Sequence, residues 1–180
     1  MKRYTHGFAL ITSMVLIVVL AIVSAMMFRT SGASGKIAGN TLEHQRAFES
    51  AESGLRFGEW LLRRVPMPTQ IPVCNTVIDL AIAGATAVMC TNALVNPAEP
   101  PWAAGMRFTP DGMTIQQGGG LVAQSSNRTG RDVFYAERPM VYIQSLGPGP
   151  DGINLYQITS AGFGGHASTV SVLVSVVSVR

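Results

Sequence analysis

The sequence predicts an α+β protein in which a long N-terminal helix, apolar in its first half, packs its second half on a small antiparallel β-sheet. Three observations carry this. Residues 8–28 form one uncharged apolar block, residues 41–64 repeat apolar side chains at helical spacing, and the C-terminal residues alternate with the period of two that strands require.

From Phe8 to Phe28 there are 21 residues without a charge, and only Thr12, Ser13 and Ser24 among them carry polar side chains. A helix of that length spans about 30 Å, the thickness of a bilayer's hydrocarbon core. Helices of soluble cores carry one apolar stripe, whereas this segment is apolar all round, so it is expected to insert into a membrane. The block also explains the composition. The chain of 180 residues is 47% apolar and 13% charged, with a net charge of +3. So little charge with so much apolar content excludes a disordered chain. A net charge this small also argues against a nucleic-acid-binding domain. Residues 1–7 (Met-Lys-Arg-Tyr-Thr-His-Gly) form a short basic leader ending in Gly7. A secretory signal is cleaved after an apolar stretch of about 7–15 residues. Here the stretch is longer, and small residues follow only beyond Arg29. Lys2 and Arg3 on one side balance Arg29 and Lys36 on the other, so charge alone leaves the orientation open.

Residues 29–40 contain Gly32, Gly35 and Gly39. Each weakens a helix by about 1 kcal/mol, so a soft stretch is expected there, with Gly35 and Gly39 spaced for close helix approach in lipid. Residues 41–64 are strongly helical. Phe48, Leu55 and Leu62 repeat at seven with Ala51 and Gly58 between them, which predicts an apolar stripe. Glu52–Arg56 and Glu59–Arg63 are spaced for ion pairs along the helix. Arg63 and Arg64 suit its last turn, and Pro66 and Pro68 end it. One helix from Phe8 to about Arg64 would be roughly 85 Å long.

A basic leader ending in glycine, then phenylalanine and about 20 apolar residues running into an amphipathic helix, resembles the type III signal peptide of type IV pilins and pseudopilins. A narrower likeness rests on Gly7-Phe8-Ala9-Leu10-Ile11, Lys36-Ile37-Ala38-Gly39-Asn40 and the run from Ala47 to Arg56 (AFESAESGLR). Together these resemble the N-terminal domain of PilX-type minor pilins. The resemblance implies that prepilin peptidase cuts between Gly7 and Phe8 on the cytoplasmic side and methylates the new N-terminus at Phe8. Most pilins carry glutamate five residues into the mature chain, where this sequence has Thr12. PilX-like subunits similarly lack that acid and lie at or near the fibre tip. By this resemblance the chain is a minor pilin that primes or caps a type IV pilus. Its implied partners are other minor pilins, the major pilin, a PilY-type tip adhesin and prepilin peptidase. The implied location is the bacterial inner membrane with a periplasmic C-terminal domain, and then the pilus surface. The implied organisation is a leader at 1–7, a membrane or filament-core helix at 8–28, its continuation at 29–64 and a globular domain at 65–180. Two other readings stand beside this one: a minor pseudopilin of a type II secretion system, and a single-span anchored periplasmic binding domain.

Residues 65–180 suffice for one small core. Export would place Cys74 and Cys90 in an oxidising compartment, where a disulfide is favoured over two buried thiols. Residues 92–112, rich in proline and glycine, read as irregular connection with a turn at Pro110-Asp111-Gly112. Gly118–Gly120 reads as a loop. Strands are expected at 132–136, 140–146 and 154–160, with a turn from Pro148 to Gly152 and a loop at Gly162–Gly165. The last strand is the clearest. Val170, Val172, Val174 and Val176 share one face, with Ser171, Leu173 and Ser175 on the other.

Chemistry-bearing constellations do not emerge from the sequence. His6, His44 and His166 are scattered, and no His/Cys/Asp cluster has metal-ligand spacing. Gly162-x-Gly164 precedes a strand, where a dinucleotide site needs a helix. Asn127-Arg128-Thr129 fits a glycosylation sequon, and Asp151 beside Gly152 fits a turn. No enzyme, cofactor, metal or nucleic-acid partner is expected.

Overall fold

The structure, a computed structural model, describes residues 6–64, 70–82, 86–110, 114–115, 134–149 and 152–179; of residues 6–8, 28–33, 114, 115 and 134 it describes only the backbone. Pro66, Pro68, Asp111, Gly112, Gly118–Gly120, Asn127–Thr129 and Asp151 lie outside the described residues. Helix α1 runs His6–Arg64, followed by β1 (Val77–Asp79), β2 (Gly105–Arg107), β3 (Thr114–Ile115), β4 (Phe134–Tyr135), β5 (Met140–Pro148), β6 (Asn154–Phe163) and β7 (Val170–Val179). This is the expected α+β arrangement. By contacts the chain divides between Thr41 and Leu42.

The first unit is helical throughout its described length. The glycine-rich stretch at 29–40 lies within α1 without a break, in keeping with the reading of one helix from Phe8 to about Arg64. Gly35 and Gly39 have no neighbouring atoms where a Cβ would stand, so the helical hydrogen bonds of the flanking residues alone carry the chain through them.

In the second unit five strands form one sheet in the order β1-β2-β5-β6-β7. β5, β6 and β7 make two long antiparallel ladders, and β2 pairs antiparallel with β5. β1 joins β2 in parallel, so the sheet is mixed at that end. β3 and β4 form a separate short parallel pair. Two of these strands, β1 and β2, arise in sequence that carries almost no strand signal. β2 lies inside the stretch expected to be irregular, and Gly105 enters it at φ 128°, backbone that favours glycine. β6 runs to Phe163, so Gly162 and Phe163, expected in a loop, belong to the sheet.

Residues opposite one another in an antiparallel ladder share a face. Val141, Ser160 and Leu173 therefore lie on one side with Ile143, Ile158 and Ser175, and this side meets α1. The helix approaches through small residues: Ala47, Ser50, Ala51, Gly54 and Gly58 are all buried. A Cβ on Gly162 would collide with the backbone of Ala47 and Ala51, and one on Gly58 would lie 2.7 Å from Ile158. The contacts advance along α1 from Ala47 to Gly58 while they retreat along β6 from Gly162 to Ile158. The helix thus runs beside the strand in the opposite sense, over about 16 Å of helix and 13 Å of strand. Ser160 Oγ donates to the Ala51 carbonyl at 2.7 Å, and the Gly165 amide donates to the Glu43 carboxylate at 2.6 Å.

This footing corrects the apolar stripe read from the sequence. Leu62 is buried, but Leu55 is half-buried and Phe48 is 48% exposed. The small residues at 47, 51, 54 and 58 make the contact and bring the backbones too close for a large side chain between them. Among the expected ion pairs, Glu52 and Arg56 meet. Glu59 instead accepts a hydrogen bond from Ser175 Oγ at 3.5 Å.

Each face of the sheet has its own core. Leu61, Leu62, Met106, Val141, Ile143 and Ile158 pack on the helix side. Met140, Tyr142, Ala161 and Phe163 pack on the other side against Cys90, Trp102 and Ala104. That second layer is anchored by Cys90, whose amide donates to the Ile143 carbonyl while its carbonyl accepts from the Ser145 amide, both at 2.8 Å.

Candidate functional site: the apolar N-terminal segment

The segment with the clearest functional content is the start of α1. Ala9–Met27 has a mean hydropathy of 2.7, is long enough to cross a membrane, and is unburied throughout. Its side chains have no protein core to enter, so their apolar surface needs lipid or other chains. The three polar side chains within it turn back on their own helix. Thr12 Oγ1 donates to the Ala9 carbonyl at 3.0 Å, Ser13 Oγ to the Leu10 carbonyl at 2.9 Å and Ser24 Oγ to the Leu20 carbonyl at 2.8 Å. A hydroxyl moved into an apolar medium without a partner loses roughly 2–7 kcal/mol. These back-bonds remove most of that penalty and let the helix enter hydrocarbon with its polar groups satisfied.

Gly7 and Phe8 lie in the first turn of α1, and Thr12 follows about one turn later. These three positions are brought together by the helix alone. Cys74 and Cys90 are joined by a disulfide with a Cα–Cα distance of 5.4 Å. The Asn92 side chain clamps the same place, accepting from the Cys74 amide at 2.8 Å and donating to its carbonyl at 3.0 Å. Tyr142 Oη donates to the Asn92 carbonyl at 2.9 Å, and burial pushes this phenol's pKa up. Cavities of about 190 and 270 Å³ flank the disulfide. Among their lining residues there is no carboxylate, histidine or cationic side chain. Among the described residues, no group of three His, Cys, Asp or Glu could hold a metal ion.

Sequence reasoning missed a buried charged contact between distant residues. Arg138, buried, donates to both Asp79 oxygens at 2.6 and 2.8 Å, tying β1 to the entrance of β5. Burial alone would raise the Asp79 pKa. The Arg138 hydrogen bonds, the Ala81 amide and the charges of Arg138 and Arg107 outweigh it and hold the carboxyl below its usual value. The partners are 59 residues apart, and no local pattern links them. Of the small-residue footing, Ala51 and Gly58 belonged to the expected stripe, whereas Ala47 and Gly54 were missed, although the four are visible as a stripe at i, i+4, i+7 and i+11.

Residues 6–56 match the family model described as PilX N-terminal. The matched residues contain the whole apolar segment and residues 42–56 of the helix that packs on the sheet. No curated protein and no solved structure matches the chain.

Proposed function

We propose that this chain, which carries a PilX-type N-terminal segment, is a minor pilin that helps prime or cap assembly of a type IV pilus near its tip. The observation that carries the reading is the coincidence of the family match with an unburied apolar helix. In this reading prepilin peptidase cleaves between Gly7 and Phe8 and methylates Phe8. Ala9–Met27 then rests in the bacterial inner membrane with the sheet domain in the periplasm. Assembly exchanges lipid contact for contact with the apolar helices of other pilins. At about 0.8 kcal/mol per CH₂, exposure of such a helix to water is too unfavourable, so transfer is direct. Thr12 brings no charge into that bundle. A carboxylate there would be costly in lipid unless it is paired. Its absence favours a subunit with no neighbour ahead of it, beside the tip adhesin, with the other minor pilins and then the major pilin below. The role is structural rather than catalytic.

N-terminal analysis of the protein purified from its native host tests the premise. The expected product starts at N-methylated Phe8, and a product that keeps Met1 would overturn the reading. Deletion should abolish or sharply reduce surface pili. Loss of type II secretion with pili intact would replace the assignment with a secretion pseudopilin.

A further inference from the structure

α1 ends in an aromatic and cationic flank. Phe108, just after β2, stacks on Phe57 with ring centroids 4.3 Å apart, and Phe57 in turn stacks on Trp60 at 6.0 Å. The Arg64 guanidinium lies over the Trp60 ring, 5.7 Å from its centroid. Phe57 and Phe108 are half-buried against the core, whereas Trp60 is 53% exposed and both Arg63 and Arg64 are exposed. Tryptophan and arginine are the side chains in which binding energy concentrates at interfaces.

Arg63 and Arg64 make no ion pair among the described residues. The acids nearest to them on the helix are engaged elsewhere, Glu52 with Arg56 and Glu59 with Ser175. From the sheet, Asp79 is held by Arg138 and Glu137 faces Arg107. Glu59 lies one turn before Arg63 and offsets part of its charge, which leaves Arg64 as the freer cation. The two arginines also outweigh the roughly half negative charge of the helix terminus. Stacking occupies the flat face of the Arg64 guanidinium and leaves its in-plane N–H donors open to a carboxylate.

The complementary feature lies on the other face of the sheet. Residues 96–101 (Asn-Pro-Ala-Glu-Pro-Pro) place one acid among three prolines, and Pro97, Ala98, Glu99 and Pro101 are exposed. Trp102, in the layer opposite α1, donates from Nε1 to the Pro97 carbonyl at 3.2 Å, and the Glu99 amide donates to the Asn96 carbonyl at 3.0 Å. The loop is thus held in one shape and loses little freedom on binding. Proline loses no side-chain freedom when it packs on an aromatic ring. The Glu99 carboxylate, met at 3.5 Å by Asn96 Nδ2, is the group that Arg64 lacks. Loop and helix end also stand at opposite ends of β2, since Pro97 is held before that strand and Phe57 meets Phe108 after it.

We propose that the aromatic and arginine-bearing end of α1 binds the 96–101 loop of a second copy of this chain, with the prolines against Trp60 and Glu99 on Arg64. The two halves of the contact differ, so it is head-to-tail. One copy presents its loop, the other its helix end, and each keeps its unused half free. The proposal concerns residues 42–180 alone and draws nothing from the membrane reading of Ala9–Met27. A pair of this kind still has one leading copy, so it is compatible with a place near a pilus tip.

The test replaces Ala98 with photo-reactive benzoylphenylalanine in the full chain, kept in uncharged detergent micelles at low ionic strength. Isotope-labelled and unlabelled chains are mixed, so that mass spectrometry separates crosslinks between copies from crosslinks within one. Those between copies should map to residues 57–64. Arg64→Glu and Glu99→Arg should each cut their yield about tenfold, and the two combined in one chain should restore it. Trp60→Ala should lower the yield as far and leave the melting temperature unchanged, because that side chain is exposed. Crosslinks from Ala98 to residues 57–64 of the same copy would mean that the loop fills its own site and would overturn the proposal. Crosslinks to another surface, or none at all, would overturn it too. So would a yield indifferent to both charge reversals, which would leave association to the apolar segment. N-terminal processing tests the pilus reading separately, so either can fail alone.

Discussion

A methyl group at position 162 would meet the backbone of α1 at Ala47 and Ala51, and backbone cannot step aside as a side-chain tip can. Gly162→Ala should therefore destabilise the domain by about 3 kcal/mol, as overpacking does, measured by denaturant unfolding. Gly39→Ala makes the contrast. It meets nothing and should strengthen the helix by about 1 kcal/mol, read as helicity by circular dichroism. Asp79 offers a second test at this scale. Its carboxyl is held below the ordinary value of 3.8, so the folded state favours the ionised form. The stabilisation is complete above the unfolded pKa and is lost as pH falls through the lower folded one. Asp79→Asn leaves buried Arg138 without its counter-charge and should cost on the order of 2–3 kcal/mol at neutral pH. The wild type and the variant should converge below pH 4 in unfolding experiments. The weakening at Gly39 was legible in the sequence, but the Asp79–Arg138 pair and the close approach at Gly162 were not. Arg138 and Asp79 become partners only when the sheet forms, and the need for glycine at 162 appears only once a helix lies on it.

Secondary-structure elements were legible in proportion to how much of their signal is local. β7 alternates over ten residues, and α1 carries its own periodicity and terminal arginines, so both could be read. β1 and β2 are three residues each, too short for alternation to register. They exist because β2 finds hydrogen bonds between β1 and β5. The stripe through Phe48 misled because a heptad of large side chains looks like a contact surface. The helix contact is built from alanine, serine and glycine instead. The disulfide is the element-scale device that can be tested directly. It closes a sequence separation of 16, worth roughly 3 kcal/mol in the chain-entropy model. Cys74→Ser/Cys90→Ser should lose about that much stability in denaturant titration. It should also loosen the layer over Tyr142 and Trp102, visible as faster exchange of the Cys90 and Ser145 amides.

For the whole molecule, the composition in the sequence was an average over two unlike parts. Ala9–Met27 holds much of the apolar excess, and the residues beyond Thr41 form an ordinary small domain. Lys2 and Arg3 supply two of the three net positive charges, so the proposed processing after Gly7 would leave a nearly neutral chain. Lysine at a helix centre in a bilayer is unfavourable by about 2.5–3.5 kcal/mol. Val18→Lys/Val19→Lys should therefore shift the protein from the carbonate-resistant membrane fraction to the soluble one, read by fractionation and immunoblot. That a membrane-type helix opens the chain was fully legible. The unpaired edge that β7 presents among the described residues was not, because it is made by topology.

The alignment of α1 with β6 has a mechanical consequence. In the proposed pilus role the load would enter through the helix, and residues 42–64 lie lengthwise along a strand that runs the other way. Tension entering at Leu42 is therefore opposed in shear, with the Glu43–Gly165 and Ala51–Ser160 bonds and the interlocked glycines at 54, 58 and 162 loaded together. Contacts that must rupture at once resist far more force than contacts peeled one by one. The small residues that let helix and sheet touch backbone to backbone thus also act as the grip between residues 42–64 and the sheet.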